Sequence, residues 1–197
     1  MRAPGRVVRV GVVVVATVGL LAGCTADTAP DPEPAASPGG AYALPSCPQL
    51  ERAEPVDGGL PDLELPCLGG GPSVNLADLR GTPTVLNVWA AWCTNCDREM
   101  PLFAHAMAKA GDRVRFFGVH YKAAEKYAER SAADFGVPFP SVHDEDGDKS
   151  AIELRAKAPP QTLFVTAEGR VAGREVGEIK TQAQLDRLVR RYLGVRL

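Results

Sequence analysis

The chain has 197 residues, of which 45% are apolar and 23% charged, a globular composition long enough for one domain of ordinary size with extra segments. The formal net charge is −2, which supplies no bulk attraction to nucleic acid or acidic lipid, so nucleic acid is not an expected partner.

In chain order, Arg2, Arg6 and Arg9 form a basic start, and residues 10–21 are an apolar run of Val, Ala, Gly and Leu. That run is shorter than the ~20 residues of a comfortable membrane span and has the length of a signal-peptide core. It ends in Leu21-Ala22-Gly23-Cys24, which resembles the bacterial lipoprotein signal. The resemblance implies cleavage before Cys24 and a diacylglyceryl group on its thiol. An uncleaved N-terminal anchor would leave the rest of the chain on the same side of the membrane. Residues 1–23 are thus expected to be a lipoprotein signal peptide. Residues 24–45, rich in Ala and Pro, are expected to be a flexible tether, and residues 46–197 the folded domain. Export places the cysteines where disulfides form and persist. With Cys24 on lipid, four of the five Cys remain, an even number.

Beyond the tether the signals alternate. Residues 60–68, after Gly58-Gly59, carry apolar residues that alternate over Leu63, Leu65 and Cys67, and predict a strand. Val74-Asn75-Leu76 and then Ala77-Asp78-Leu79-Arg80-Gly81 predict a short strand and a helical turn. Residues 84–90, with Val85, Leu86, Val88 and Trp89, predict a buried strand. Residues 93–110 predict a long helix with Met100, Phe103 and Met107 at helical spacing, closed by Gly111. A second buried strand is predicted over 114–120, a helix over 123–135 ending at Gly136, a short strand over 139–143, a turn at Asp146-Gly147 and a short helix over 149–156. Residues 162–166 and 171–176 predict a hairpin about Glu168-Gly169. Thr181 predicts the cap of a last helix with Leu185, Leu188, Val189 and Tyr192 on one face. The early βαβ alternation demands parallel strand pairs with helices on both faces, and the late hairpin adds an antiparallel edge. The expected class is α/β, with a central mixed sheet flanked by helices and an N-terminal extension.

The chemistry concentrates in Trp89-Ala90-Ala91-Trp92-Cys93-Thr94-Asn95-Cys96, where a buried strand hands over to a helix. Cys93 would sit at the helix N-terminus, where unpaired N–H groups and the helix dipole favour an anion and lower a thiol pKa. Cys96, three residues on, lies one turn below on nearly the same face. An exposed first sulfur would attack a substrate disulfide, and the second would resolve the mixed disulfide. A CxxC pair can also be half of a zinc site, but that needs a second pair of ligands. Cys47 and Cys67, 20 residues apart, do not make one, and the three His are scattered. A purely structural Cys93–Cys96 bridge is the third possibility, although so small a loop stabilises little through chain entropy.

The string Asn87-Val88-Trp89-Ala90-Ala91-Trp92-Cys93-x-x-Cys96-x-x-Glu99-Met100-Pro101 resembles the thioredoxin fold. In particular it is similar to the membrane-tethered branch that includes TlpA, ResA and the cytochrome c maturation thioredoxins. Pro160-Gln161-Thr162-Leu163-Phe164-Val165 with Glu168-Gly169-Arg170-Val171 is similar to that family's cis-proline strand and hairpin. Leu76-Ala77-Asp78-Leu79-Arg80-Gly81 is similar to the turn before its first core strand. The resemblance spans roughly residues 60–193. It implies that Cys93 and Cys96 are catalytic, that Glu99 tunes and shuttles protons at the thiols, and that Pro160 is a cis-proline facing the sulfurs. It also implies that Pro101 kinks the active-site helix. Trp92, Pro159 and Pro160 are the expected substrate-contacting residues, and Pro159 lacks the N–H that the family usually offers there. Thioredoxin's buried Asp is replaced by Asn87, which cannot take a proton, so Glu99 is the nearest candidate acid or base.

Cys47 and Cys67 most simply form a structural disulfide fastening the N-terminal extension to the domain; a second redox pair is the sharper alternative. His120 ends a core strand, at the same sheet edge as the active site if that strand is parallel; it is expected to face solvent, with a place near the sulfurs as the alternative. His105 and His143 carry no signal, and Asp144-Glu145-Asp146 reads as a solvated turn. The sequence thus describes an extracytoplasmic, membrane-anchored thiol–disulfide oxidoreductase that needs no metal or other cofactor. Its expected partners are exported Cys-containing proteins, apocytochrome c among them, the membrane through a lipid anchor, and a membrane redox partner that recharges the CxxC. The alternatives are an oxidant that introduces disulfides and a copper-handling protein for oxidase assembly.

Overall fold

The computed structural model describes residues 43–197; the expected signal segment, Cys24 and nearly all of the expected tether lie outside the described residues. The element order is β1 (Glu64–Leu65), β2 (Val74–Asn75), β3 (Thr84–Trp89), α1 (Thr94–Ala110), β4 (Arg115–Tyr121), α2 (Glu125–Phe135), β5 (Ser141–Asp144), α3 (Asp148–Ile152), β6 (Gln161–Val165), β7 (Val171–Val176) and α4 (Gln182–Leu193). Five strands form the main sheet in the order β5-β4-β3-β6-β7, and β1 and β2 form a small antiparallel pair. β3 runs parallel to β4, and β4 to β5, while β6 lies antiparallel to both β3 and β7.

All six residues of β3 are buried, which a strand achieves only at the centre of a sheet covered on both faces. The edge strand β7 is only partly covered. Phe103 of α1 anchors the helix to the core, meeting Phe116 and Phe139 edge-on at 6.3 and 5.8 Å between ring centroids. Each such ring pair adds about 0.5–1.5 kcal/mol beyond its burial. Gly136 stops α2 in the left-handed conformation (φ 60°) with its N–H on Ala132 and Ala133 carbonyls, the ordinary role of glycine after a helix. Thr181 caps α4, its hydroxyl accepting the Gln184 N–H at 3.2 Å.

The strand expected over 60–68 contracts to Glu64–Leu65. Pro61 and Pro66 remove the ladder donors on either side, so the chain pairs only locally. What remains guards both edges of the main sheet. Val171 N–H donates to Gly58 C=O beside β7. On the opposite edge, Leu68 N–H donates to Ser141 C=O (2.8 Å) and His143 N–H to Pro66 C=O (2.9 Å), against β5. Covered edges deny a second chain its template. Asp144 is likewise not part of a solvated turn: it is buried and its Oδ2 accepts the Ser150 N–H at 2.6 Å, because β5 extends to it and pairs it with Tyr121.

Cys47 and Cys67 are joined, with Cα atoms 5.9 Å apart. The bridge ties the start of the domain to the segment that covers β5. Closing a loop of this length adds about 3 kcal/mol in the chain-entropy model. We therefore expect the Cys47→Ser/Cys67→Ser chain to lose about 3 kcal/mol in urea unfolding of the oxidised protein, while retaining the Cys93–Cys96 bridge. A loss below about 0.5 kcal/mol would show that this bridge does not hold the extension.

Candidate active site at the β3–α1 junction

β3 ends at Trp89 and α1 begins at Thr94, so residues 90–93 must reverse the chain. Cys93 N–H closes this turn on the Ala90 carbonyl at 3.0 Å. Cys93 then serves as the N-cap of α1, with extended backbone (φ −97°, ψ 92°). Its Sγ accepts the Cys96 N–H at 3.2 Å, and its carbonyl accepts from Cys96 (3.0 Å) and Asp97 (3.3 Å). A sulfur thus occupies the place that a Ser or Asp oxygen usually takes, at the positive end of the helix dipole. Cys93 and Cys96 are joined in a disulfide with Cα atoms 5.2 Å apart.

The expectation of an exposed Cys93 needs correction. Cys93 is 5% exposed and Cys96 0%. The order is the expected one, but the capping geometry folds the Cys93 side chain back over the first turn and leaves only a sliver open. Trp92 beside it is 59% exposed. Its indole N–H donates to the Lys122 carbonyl at 3.0 Å, and its ring meets Tyr121 edge-on. The Pro159–Pro160 peptide is cis. Pro160 is buried and Pro159 half-buried. Pro160 immediately precedes Gln161, which pairs with Val88, so it stands at the same end of the sheet as the CxxC. Pro101 lies inside α1, where it removes one helical hydrogen bond.

Glu99 is fully buried. Its Oε1 accepts the Ile179 N–H at 2.5 Å, while Oε2 and the nearby Asn87 Oδ1 are both buried without a hydrogen-bond partner. Asn87 Nδ2 donates instead to Thr162 Oγ1 at 3.2 Å. Burial pushes the Glu99 carboxyl up to about 8, the Ile179 N–H opposing and the Glu178 charge adding to the rise. At neutral pH the group is therefore mostly protonated, which turns one acceptor oxygen into a donor next to the amide oxygen of Asn87. A neutral Glu99 does not repel a thiolate by charge; it is a buried acid poised near working pH. On the neighbouring surface, Arg98 grips Glu178 through two hydrogen bonds of 2.9 and 2.7 Å, tying α1 to the segment that holds Glu99.

His120 overturns the sequence expectation. It is fully buried rather than solvent-facing, because register places it between Trp89 and His143 on a covered face. Sequence reasoning also missed Thr162, and missed the backbone groups of Ile179 and Lys122, whose chemistry every residue shares. His105 is exposed. Among the described residues, no three His, Cys, Asp or Glu gather in a way that could hold a metal ion, and no helix is long and apolar enough to cross a membrane.

A closable dithiol at a helix N-terminus, set at the end of a mixed sheet, defines a thioredoxin-like thiol–disulfide oxidoreductase. The comparisons with known proteins agree. Residues 56–174 match the model of the AhpC/TSA family, and the chain belongs to that family. The thiol:disulfide interchange protein DsbE of Pseudomonas fluorescens biotype C is 34% identical over 133 residues, covering 67% of this chain and 72% of that one. The thioredoxin-like protein YneN of Bacillus subtilis is 30% identical over 120 residues, covering 59% and 69%. Among solved structures, DsbF of Mycobacterium tuberculosis superposes with a TM-score of 0.60 at 26% identity, over 68% of this chain and 98% of that one.

The raised Glu99 pKa makes a stability prediction. Between its ordinary value of 4.5 and about 8, the folded chain holds a proton that the unfolded chain has released. This contribution is complete below the unfolded value and is lost as pH rises through the folded one, at up to about 1.4 kcal/mol per pH unit. Glu99→Gln removes it. Urea unfolding of the oxidised proteins should show wild type falling relative to Glu99→Gln as pH rises from about 5 to 8.5. A constant difference across that window would mean that Glu99 keeps an ordinary pKa.

Proposed function

We propose that the chain is a lipid-anchored enzyme of the extracytoplasmic membrane face that exchanges its Cys93–Cys96 pair with exported proteins. It acts as their reductant, with apocytochrome c among its substrates and a membrane redox partner returning it to the dithiol. The observation that carries this reading is the Cys93 sulfur accepting the Cys96 N–H at the opening of α1. In the reduced chain that N–H and the helix dipole favour a Cys93 thiolate. The thiolate attacks one sulfur of a substrate disulfide, forming a mixed disulfide and releasing the other substrate sulfur as a thiolate. Cys96 then loses its proton and attacks the Cys93 sulfur. The second substrate thiolate leaves, and Cys93–Cys96 closes as the two electrons pass to the substrate. Glu99, buried one turn beyond Cys96 and raised by burial to about 8, exchanges the Cys96 proton, its ionised fraction accepting it. Trp92, Pro159 and Pro160 offer the surface on which the substrate chain lies. The relatives named thiol:disulfide interchange proteins support the exchange chemistry, and the motif's resemblance to the cytochrome c maturation thioredoxins supports the reducing direction. Leu21-Ala22-Gly23-Cys24 supports the anchor.

Removal of the resolving sulfur tests the mechanism. Cys96→Ser, expressed in an exporting host, should accumulate reducible covalent adducts with exported Cys-containing proteins, and Cys93→Ser should accumulate few. Equal trapping by both, or by neither, contradicts the assigned roles. For the anchor, Cys24→Ala should lose the lipid mass on Cys24 and leave the membrane fraction; intact retention with unchanged mass would refute lipidation.

A further inference from the structure

The exchange chemistry does not use a buried polar cluster at the ends of β3, β4 and β5. Trp89, His120 and His143 stand in register across β3, β4 and β5, with ring centroids 4.7 Å apart for Trp89 and His120 and 5.2 Å for the two histidines. Both imidazoles are buried. The Ala91 N–H donates to His120 Nε2 at 3.2 Å, and the two Nδ1 atoms are 3.2 Å apart. These contacts assign the tautomers. A backbone N–H facing Nε2 requires a lone pair there, so a neutral His120 carries its proton on Nδ1. That proton meets His143 Nδ1, which must accept, so His143 carries its own proton on Nε2, buried without a partner. Burial, with the adjoining His143, holds His120 down at about 3, so the ring stays neutral wherever thiols exchange. His143 is itself fixed from the sheet edge, since its N–H donates to Pro66 next to the bridged Cys67.

Ala91 lies inside the 90–93 turn, and the next residue, Trp92, is held by the Lys122 carbonyl. The end of β4 therefore grips the turn at two consecutive residues just before the reactive sulfur. We propose that His120 is a positioning residue for the thiol chemistry. Its neutral Nε2 holds the Ala91 amide and with it the 90–93 turn, so that the Cys93 sulfur stays over the first N–H groups of α1. This rests on the reading of Cys93 as the attacking thiol. Without the acceptor, the Ala91 N–H loses its partner, the turn loosens, and the Cys93 thiolate loses the helix-end stabilisation that lowers its pKa.

The test uses the reduced, folded protein in four forms: wild type, His120→Phe, His120→Gln and His143→Phe. The readouts are the pH dependence of Cys93 alkylation and, for wild type, imidazole 15N shifts. In wild type His120 is expected as the Nδ1–H tautomer. His120→Phe should raise the Cys93 thiol pKa by about one unit, slowing alkylation about tenfold at a pH below both values. His120→Gln, whose side-chain carbonyl reaches the place of Nε2, should stay within about twofold of wild type. His143→Phe, which removes only the acceptor for His120, should slow alkylation by about threefold. An Nε2–H tautomer, an unchanged profile in folded His120→Phe, or a His120→Gln chain as slow as His120→Phe overturns the proposal. Should His120→Phe fail to fold, His143→Phe decides: a shift in the same direction supports the role and an unchanged profile contradicts it. A wild-type Cys93 with an unperturbed pKa overturns the exchange reading itself, whereas a lowered wild-type pKa that no substitution moves overturns only the role of His120.

Discussion

Where β3 stops and α1 starts, the first N–H groups of the helix have no carbonyl to meet, and the Cys93 sulfur accepts one of them at 3.2 Å. This contact gives a sulfur a reason to carry negative charge, and much of the fold serves to place it. The central position of β3, with all of its residues buried, fixes where the strand ends. The parallel partners β4 and β5 bring their own C-terminal ends to the same side, the side on which open α/β sheets commonly build their sites. The antiparallel β6 brings Pro160 to that end from the other direction. Gly118 keeps the arrangement close: a Cβ there would stand 2.2 Å from Ser141 Oγ, the atom that accepts the Trp89 indole N–H.

Polar groups this deep in a core cost free energy unless each finds a partner. Thr162 meets one end of the Asn87 amide, and a proton on Glu99 is available to the other. Asn87 cannot change charge, whereas Glu99, raised to about 8 by burial, can. The same carboxyl ties the site to the segment after β7, since it accepts the Ile179 N–H while its neighbour Arg98 holds Glu178. The site and the closing elements of the fold are thereby coupled through α1.

The parts written in local chemistry were legible in the sequence. Val171–Val176 and its turn at Glu168-Gly169, the Thr181 cap, and the helix opening at the CxxC all follow from neighbours within a few residues. The parts that depend on register were not. His120 and His143 are 23 residues apart and meet only because β4 and β5 pair as they do; nothing at either position announces a partner. Glu99 follows Asp97 and Arg98; the motif's resemblance marked it as a candidate acid or base, but its immediate neighbours gave no sign that it is buried. Yet Cys96, Glu99, Met100, Phe103, Ala106 and Ala110 all lie on the buried face of α1, and that periodicity was the available signal. Over residues 60–68 the alternation suggested a strand, but Pro61 and Pro66 vetoed most of it.

Thiol exchange requires that Cys93–Cys96 be a working redox couple rather than a fixed staple. The direct measurement is equilibration of the oxidised protein with glutathione buffers of graded potential, with the state of each cysteine read by mass-resolved alkylation. A thioredoxin-like couple at a helix N-terminus should open and close reversibly as one two-electron step, between roughly −270 and −120 mV. Irreversible opening, or a bridge that resists every buffer down to about −300 mV as structural disulfides do, would contradict the account.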